Sequence, residues 1–132
     1  MRIAVGAITR RRSDKLADLL GSFVRMEIPE RTEIKFFIVE NDESKASRDV
    51  VDGFRTSVAA PVRYDLETEP GIPFARNAVL DAALEEGMDY LTFVDDDETV
   101  QIDWLREMIT GMKAHGLDLG GGPSFAQLTC SP

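Results

Sequence analysis

The chain has 132 residues, 43% of them hydrophobic and 30% charged, which suits one globular domain with a single core and excludes a disordered polypeptide. A net charge of −9 argues against nucleic acid or anionic lipid as a bulk-charge partner. No apolar run is long enough to span a bilayer, no signal-peptide core follows Met1, and Cys130 is a lone cysteine, so a reducing, cytoplasmic setting is expected.

Ile3 to Ile8 reads as a first β-strand. Ser13 is placed as the N-cap of a first helix, with Leu16, Leu19, Leu20 and Phe23 at helical spacing and Pro29 closing the region. Ile34 to Val39 makes a second strand. Ser44 is placed as the cap of a second helix carrying Val50, Val51 and Phe54, with Gly53 as a weak point. Val62 to Leu66 alternates apolar with polar residues, which suits a strand near an edge.

Pro70-Gly71 signals a turn, and Pro73 suits the first turn of a third helix that buries Ala75, Val79, Ala82 and Ala83 and stops at Gly87. Tyr90 to Val94 is a fourth, buried strand. Ile102 to Met112 forms a fourth helix with Leu105, Met108, Ile109 and Met112 inward, and Leu117 to Leu119 starts a fifth strand. Residues 1–123 then form the domain and 124–132 a tail. This alternation predicts an α/β fold: an open, mostly parallel sheet with flanking helices and right-handed crossovers.

In that frame the polar clusters gather. Thr9 to Arg12, Glu40-Asn41-Asp42 and Asp95-Asp96-Asp97 all follow strands, so all three should rim one crevice. Helix capping accounts for Asp42 or Ser44 but not for three consecutive aspartates. Adjacent carboxylates repel and need a cation or strong donors, which makes this Asp-x-Asp a divalent-metal site in expectation. Strand alternation aims Asp96 away from its neighbours and makes it the weakest ligand of the three. Arg10-Arg11-Arg12 either balances the acidic surface or faces a phosphate. His115 suits a helix C-terminus, Trp104 suits core packing, and Gly120-Gly121-Gly122-Pro123 lacks the strand-to-helix setting of a phosphate loop.

Taken together, Ile3-Ala4-Val5-Gly6-Ala7-Ile8-Thr9-Arg10-Arg11-Arg12, Phe37-Ile38-Val39-Glu40-Asn41-Asp42, Gly71-Ile72-Pro73-Phe74-Ala75-Arg76-Asn77, Phe93-Val94-Asp95-Asp96-Asp97-Glu98 and Asp103-Trp104-Leu105 fall in an order that resembles family 2 glycosyltransferases of bacterial exopolysaccharide or cell-surface glycan type. The resemblance runs from the first strand to about Pro123. It implies a Rossmann-like nucleotide-diphospho-sugar transferase (GT-A) fold, truncated to its N-terminal donor-binding half. The donor it implies is a UDP- or GDP-linked sugar, the acceptor a glycan or lipid-linked molecule, and the cofactor Mg²⁺ or Mn²⁺.

By the same resemblance, Glu40 matches an aspartate that hydrogen-bonds the base, and Arg76 an arginine near the nucleotide. Asp95 is implied near the ribose or a metal-bound water, and Asp97 as the metal ligand, with Asp95 as its partner. Thr9, Arg11, Asn41 and Asp96 complete the implied donor set, although Arg10 and Arg11 stand where the family often has an aromatic and a small polar residue. For Arg76 the alternative is a surface ion pair to Asp42 or Glu69. No residue matches the family's general base, so no catalytic residue is assigned; the isolated chain is expected to bind donor and transfer poorly. A shortened sheet edge would expose apolar surface, so a homodimer through that face is expected, and a monomer by light scattering counts against it.

Two other classes fit parts of the chain. Asp95-Asp96-Asp97-Glu98-Thr99 resembles the first motif of haloacid-dehalogenase-type phosphatases, with Asp95 as nucleophile and Asp97 as acid/base, but few residues follow to supply that family's lysine and later aspartates. A non-catalytic, receiver-like nucleotide- or metal-binding module is the other.

Overall fold

The computed structural model describes residues 1–115 and 125–127. Its elements are β1 (Arg2–Thr9), α1 (Ser13–Arg25), β2 (Glu33–Glu40), α2 (Arg48–Ser57), β3 (Val62–Leu66), α3 (Ile72–Glu85), β4 (Tyr90–Asp95), α4 (Trp104–His115) and β5 (Phe125–Gln127). The sheet order is β3-β2-β1-β4-β5. The first four strands are parallel, and β5 pairs antiparallel with β4.

β1 and β2 are buried on both faces, as a parallel sheet covered by helices requires, and their residues alternate between two cores. Ile3, Val5, Ala7, Ile34, Phe36 and Ile38 face α1, α2 and α4. On that side Phe36 packs against Phe23 and Phe54 at ring distances of 5.0 and 4.9 Å. Ala4, Phe37 and Val39 face α3 through Ala75, Val79, Ala82 and Ala83, the set predicted from spacing.

Small residues on this second side let α3 lie close to the sheet. A Cβ added at Gly6 would stand 2.8 Å from Val79 Cγ1 and 3.3 Å from the Phe93 ring. Val79 is β-branched and has little rotamer freedom in a helix, so it cannot move aside cheaply. Gly6→Val is therefore expected to lower stability by about 2–3 kcal/mol, the upper part of the overpacking range, measured as a shift in the urea midpoint.

Several local expectations are corrected. Arg12, not Ser13, is the N-cap of α1, because the Ser13 hydroxyl donates to the Ala46 carbonyl at 3.2 Å. α2 begins after Ser47 rather than at Ser44. α1 ends at Arg25, well before Pro29. Residues 125–127, assigned to the tail, join the sheet as β5. The strand expected at Leu117 to Leu119, the Met112 side chain, the Gly120-Gly121-Gly122-Pro123 turn and Cys130 lie outside the described residues. Trp104 is partly buried against the α1 side of the core, in line with packing.

The topology positions the functional end. Successive strands step outward from β1 to β2 to β3, and the chain then returns across the sheet to β4 on the other flank of β1. α1 and α2 cover one face and α3 the other, so the segments leaving β1 and β4 part and leave a crevice between them.

Candidate functional site

A cavity of about 480 Å³ opens at that crevice. Its wall is built from Ile8, Thr9, Arg10 and Arg12 at the end of β1, and from Asn41 after β2. Gly71, Ile72 and Arg76 at the start of α3, with Phe93, Asp95, Asp96 and Asp97 at the end of β4, complete it. Each of the three polar clusters expected at one crevice contributes to it, but from the Glu40-Asn41-Asp42 cluster only Asn41 reaches the wall, and from the Thr9 to Arg12 cluster all but Arg11.

The aspartates divide their roles. Asp96 turns inward, where it is buried; it accepts a hydrogen bond from Thr9 Oγ1 at 3.0 Å and is paired with Arg12 at 3.4 Å. Asp95 and Asp97 are exposed on either side of it. The turn is closed by the Glu98 N–H donating to the Asp95 carbonyl at 3.0 Å and by the Glu98 carboxylate accepting from the Asp95 N–H at 3.2 Å. Beyond it, the Val100 N–H donates to Ser22 Oγ and the Ile102 carbonyl accepts from the Glu27 N–H, tying the loop to α1 and its exit. Repulsion within the triplet is thus relieved by donors for the middle residue and by splaying for the outer two. Among the described residues no three acidic, histidine or cysteine side chains converge into a metal cage.

The arginines sort differently from the sequence expectation. Arg11 is not on the cavity wall: its Nε is 2.7 Å from Oδ2 of Asp42, which does not line the cavity either. The Arg11 hydrogen bond, aided by the Glu43 N–H, holds the Asp42 carboxyl below its ordinary pKa. Arg10 and Arg12 line the cavity instead. Arg76 also lines it, with its guanidinium 5.1 Å from the Phe93 ring centre. Neither ion pair considered for Arg76, to Asp42 or to Glu69, is present, and among the described residues neither it nor Arg10 has a carboxylate partner within 4.0 Å.

Glu40, expected at the nucleotide base, is not among the wall residues. It is 0% exposed and lies away from the cavity. Its Oε1 accepts from the Ser47 N–H at 2.8 Å and from the Tyr64 hydroxyl at 2.7 Å, so it ties the start of α2 to β3. Burial, and then the Glu40 carboxylate, hold the Tyr64 phenol above its ordinary pKa. Asn41 does reach the wall, but its amide is fully used. Nδ2 donates to the Glu67 and Glu69 carbonyls at 3.0 and 2.8 Å, and Oδ1 accepts from the Gly71 N–H at 3.1 Å. This staple shapes the entry to α3, where Gly71 has φ +127°, a conformation suited to glycine. Ile8, Gly71, Ile72 and Phe93 were missed as wall residues, and within the Thr9 to Arg12 cluster Arg11 was named for the donor where Arg10 and Arg12 line the wall; for Phe93 the alternation along β4, which points it to the Arg76 side, was the available signal.

The model for glycosyl transferase family 2 matches residues 5–125. This chain belongs to glycosyl transferase family 2. The succinoglycan biosynthesis protein ExoM of Rhizobium meliloti (strain 1021) is 33% identical to it over 123 residues, which cover 93% of this chain and 38% of ExoM. Among solved structures, Staphylococcus aureus TarS (residues 1–349) superposes with a TM-score of 0.72 at 24% identity, over 89% of this chain and 34% of that fragment. The mannosyltransferase PcManGT from Pyrobaculum calidifontis, solved with GDP-Man and Mn²⁺, gives 0.70 at 17% identity, over 84% of this chain and 32% of that one. The fold is therefore the GT-A fold of family 2, and the chain spans about a third of the length of these matched chains. The phosphatase alternative gains no support from these matches.

Proposed function

We propose that the β1/β4 cavity binds the diphosphate of a UDP- or GDP-linked sugar together with Mg²⁺ or Mn²⁺, as the donor-binding part of a sugar transferase acting on a glycan or lipid-linked acceptor. The observation that carries this reading is the pairing, across one cavity, of two exposed carboxylates, Asp95 and Asp97, with arginines 10 and 76 that have no carboxylate partner among the described residues. A diphosphate would satisfy the arginines, and Asp95 and Asp97 would hold a divalent cation that offsets the diphosphate's charge.

The donor set fits such a cation. Mg²⁺ is commonly held by one or two carboxylates with waters and substrate phosphates completing the shell, so a pair of exposed aspartates suffices only when the nucleotide is present. Bound there, the cation supplies charge stabilisation to a departing diphosphate. Arg10 and Arg76 donate to phosphate oxygens without a proton transfer, Thr9 and Arg12 keep Asp96 turned inward, and Asn41 holds the wall that starts at Gly71. TarS has been solved with UDP and with UDP-GlcNAc, and PcManGT with GDP-Man and Mn²⁺, which supports this class of donor.

The test is calorimetric titration with UDP and GDP, each with and without Mn²⁺. Binding of at least one of the two, dependent on the metal, is expected; failure of both at millimolar concentration with Mn²⁺ present rejects the reading. With no residue assigned as general base, sugar transfer by the 132-residue chain is expected to be negligible, and robust turnover by it overturns that part.

A further inference from the structure

The three consecutive arginines do not act alike, and the middle one differs most. Arg11 has φ +53°, a left-handed conformation that non-glycine residues adopt at a cost. Such a residue persists when its surroundings over-determine it. Here the surroundings are Asp42, whose side chain is only 7% exposed and whose second oxygen is held by the Glu43 N–H at 2.8 Å. Asp42 is thus a fixed acceptor on the segment after β2, and Arg11 is moored to it at 2.7 Å.

With Arg11 moored outward, Arg10 and Arg12 on either side of it line the cavity. Arg12 is loosely held: its one contact, to Asp96, is 3.4 Å long, and 54% of its side chain is exposed. Asp96 has a second partner on its other oxygen, the Thr9 hydroxyl at 3.0 Å, which does not depend on Arg12. A guanidinium also has several donors, and the Asp96 contact uses one.

We propose that Arg11 is a positioning residue for the donor site: its left-handed turn and its clamp on Asp42 present Arg10 and Arg12 to the donor's diphosphate, and Arg12 exchanges Asp96 for phosphate oxygens when the donor arrives. This rests on the donor reading above and adds to it a division of labour within the Arg10–Arg12 loop. The competing explanation is an ordinary surface ion pair, which contributes little and bears on no ligand.

UDP and UMP binding with Mn²⁺ present separates the two, because the second phosphate is the group the loop is inferred to hold. In Arg11→Ala the UDP affinity is expected to fall about tenfold, the equivalent of one lost charge-assisted contact, while UMP changes less than about twofold. Asp42→Asn, which keeps an oxygen for the Glu43 N–H, should reproduce this and serves where Arg11→Ala does not fold. In an Arg10→Ala/Arg12→Ala background, removing Arg11 should add less than about twofold, since a residue that acts through others has nothing left to position. A wild-type chain that binds neither UDP nor GDP overturns the donor reading and this inference with it. Wild-type binding with an unchanged UDP-to-UMP ratio in both single variants overturns the inference alone, as does a full Arg11→Ala effect in the double-variant background.

Discussion

Replacing Asp97 by alanine is expected to abolish the metal-dependent part of nucleotide binding while leaving the fold untouched. Asp97 is exposed on the cavity wall and makes no hydrogen bond or ion pair among the described residues, so its removal should change stability by no more than about 0.5 kcal/mol. The proposed metal, by contrast, would have Asp95 and Asp97 as its exposed carboxylates among the residues of this wall. Loss of an outer-shell partner alone commonly costs about 10–100-fold in metal affinity, so loss of a ligand should cost at least about 100-fold in Mn²⁺-supported UDP binding. Without metal the sign reverses. Asp97 then repels the diphosphate, and Asp97→Ala should bind UDP slightly more tightly than wild type. Asp96→Ala makes the control. It strips the Thr9 hydroxyl and Arg12 of their acceptor, and should cost about 1–3 kcal/mol of stability. Calorimetry with and without Mn²⁺, beside thermal unfolding, reads all of these. An Asp97→Ala chain that keeps its manganese dependence rejects the metal assignment.

Where several local signals agree, the structure follows the sequence closely. α3 is the clearest case: Pro73 sits in its first turn, Gly87 follows its end with φ +70°, and the alanine and valine spacing names its buried face. The strand periods likewise carry the parallel sheet, and the sheet brings Thr9, Asn41, Arg76 and the aspartates to one cavity. Choices settled by distant partners were not legible. Ser13 could cap a helix, but the Ala46 carbonyl takes its hydroxyl. Three identical arginines carry no mark of which faces inward; the φ of Arg11 and the place of Asp42 decide it. β5 pairs with β4 through contacts far along the chain, for which no local pattern stands.

Glu40 shows the same limit with the largest energetic consequence. The resemblance implied a place at the nucleotide base, whereas in the structure its carboxylate is taken up by the Ser47 N–H and the Tyr64 hydroxyl, partners that no local pattern marks. Glu40→Ala is expected to cost about 3–5 kcal/mol, because the Ser47 N–H and the Tyr64 hydroxyl both lose their acceptor, at about 1–3 kcal/mol for each donor left unsatisfied, and a void opens. The start of α2 suffers most, since a carboxylate at a helix N-terminus also offsets its positive end. Against a typical total of about 5–15 kcal/mol this is a large share, visible as a lowered urea midpoint with an ordinary slope. Glu40→Gln keeps an acceptor oxygen for both donors and should lose much less. A second readout is optical. With its burial and its Glu40 partner both reduced, the Tyr64 phenol should ionise at lower pH than in the wild type, closer to its ordinary value near 10, and absorbance titration of the tyrosinate band follows it. Preference between UDP and GDP should stay the same in every Glu40 variant that folds. A changed preference at unchanged stability would return Glu40 to the base and contradict the buried role.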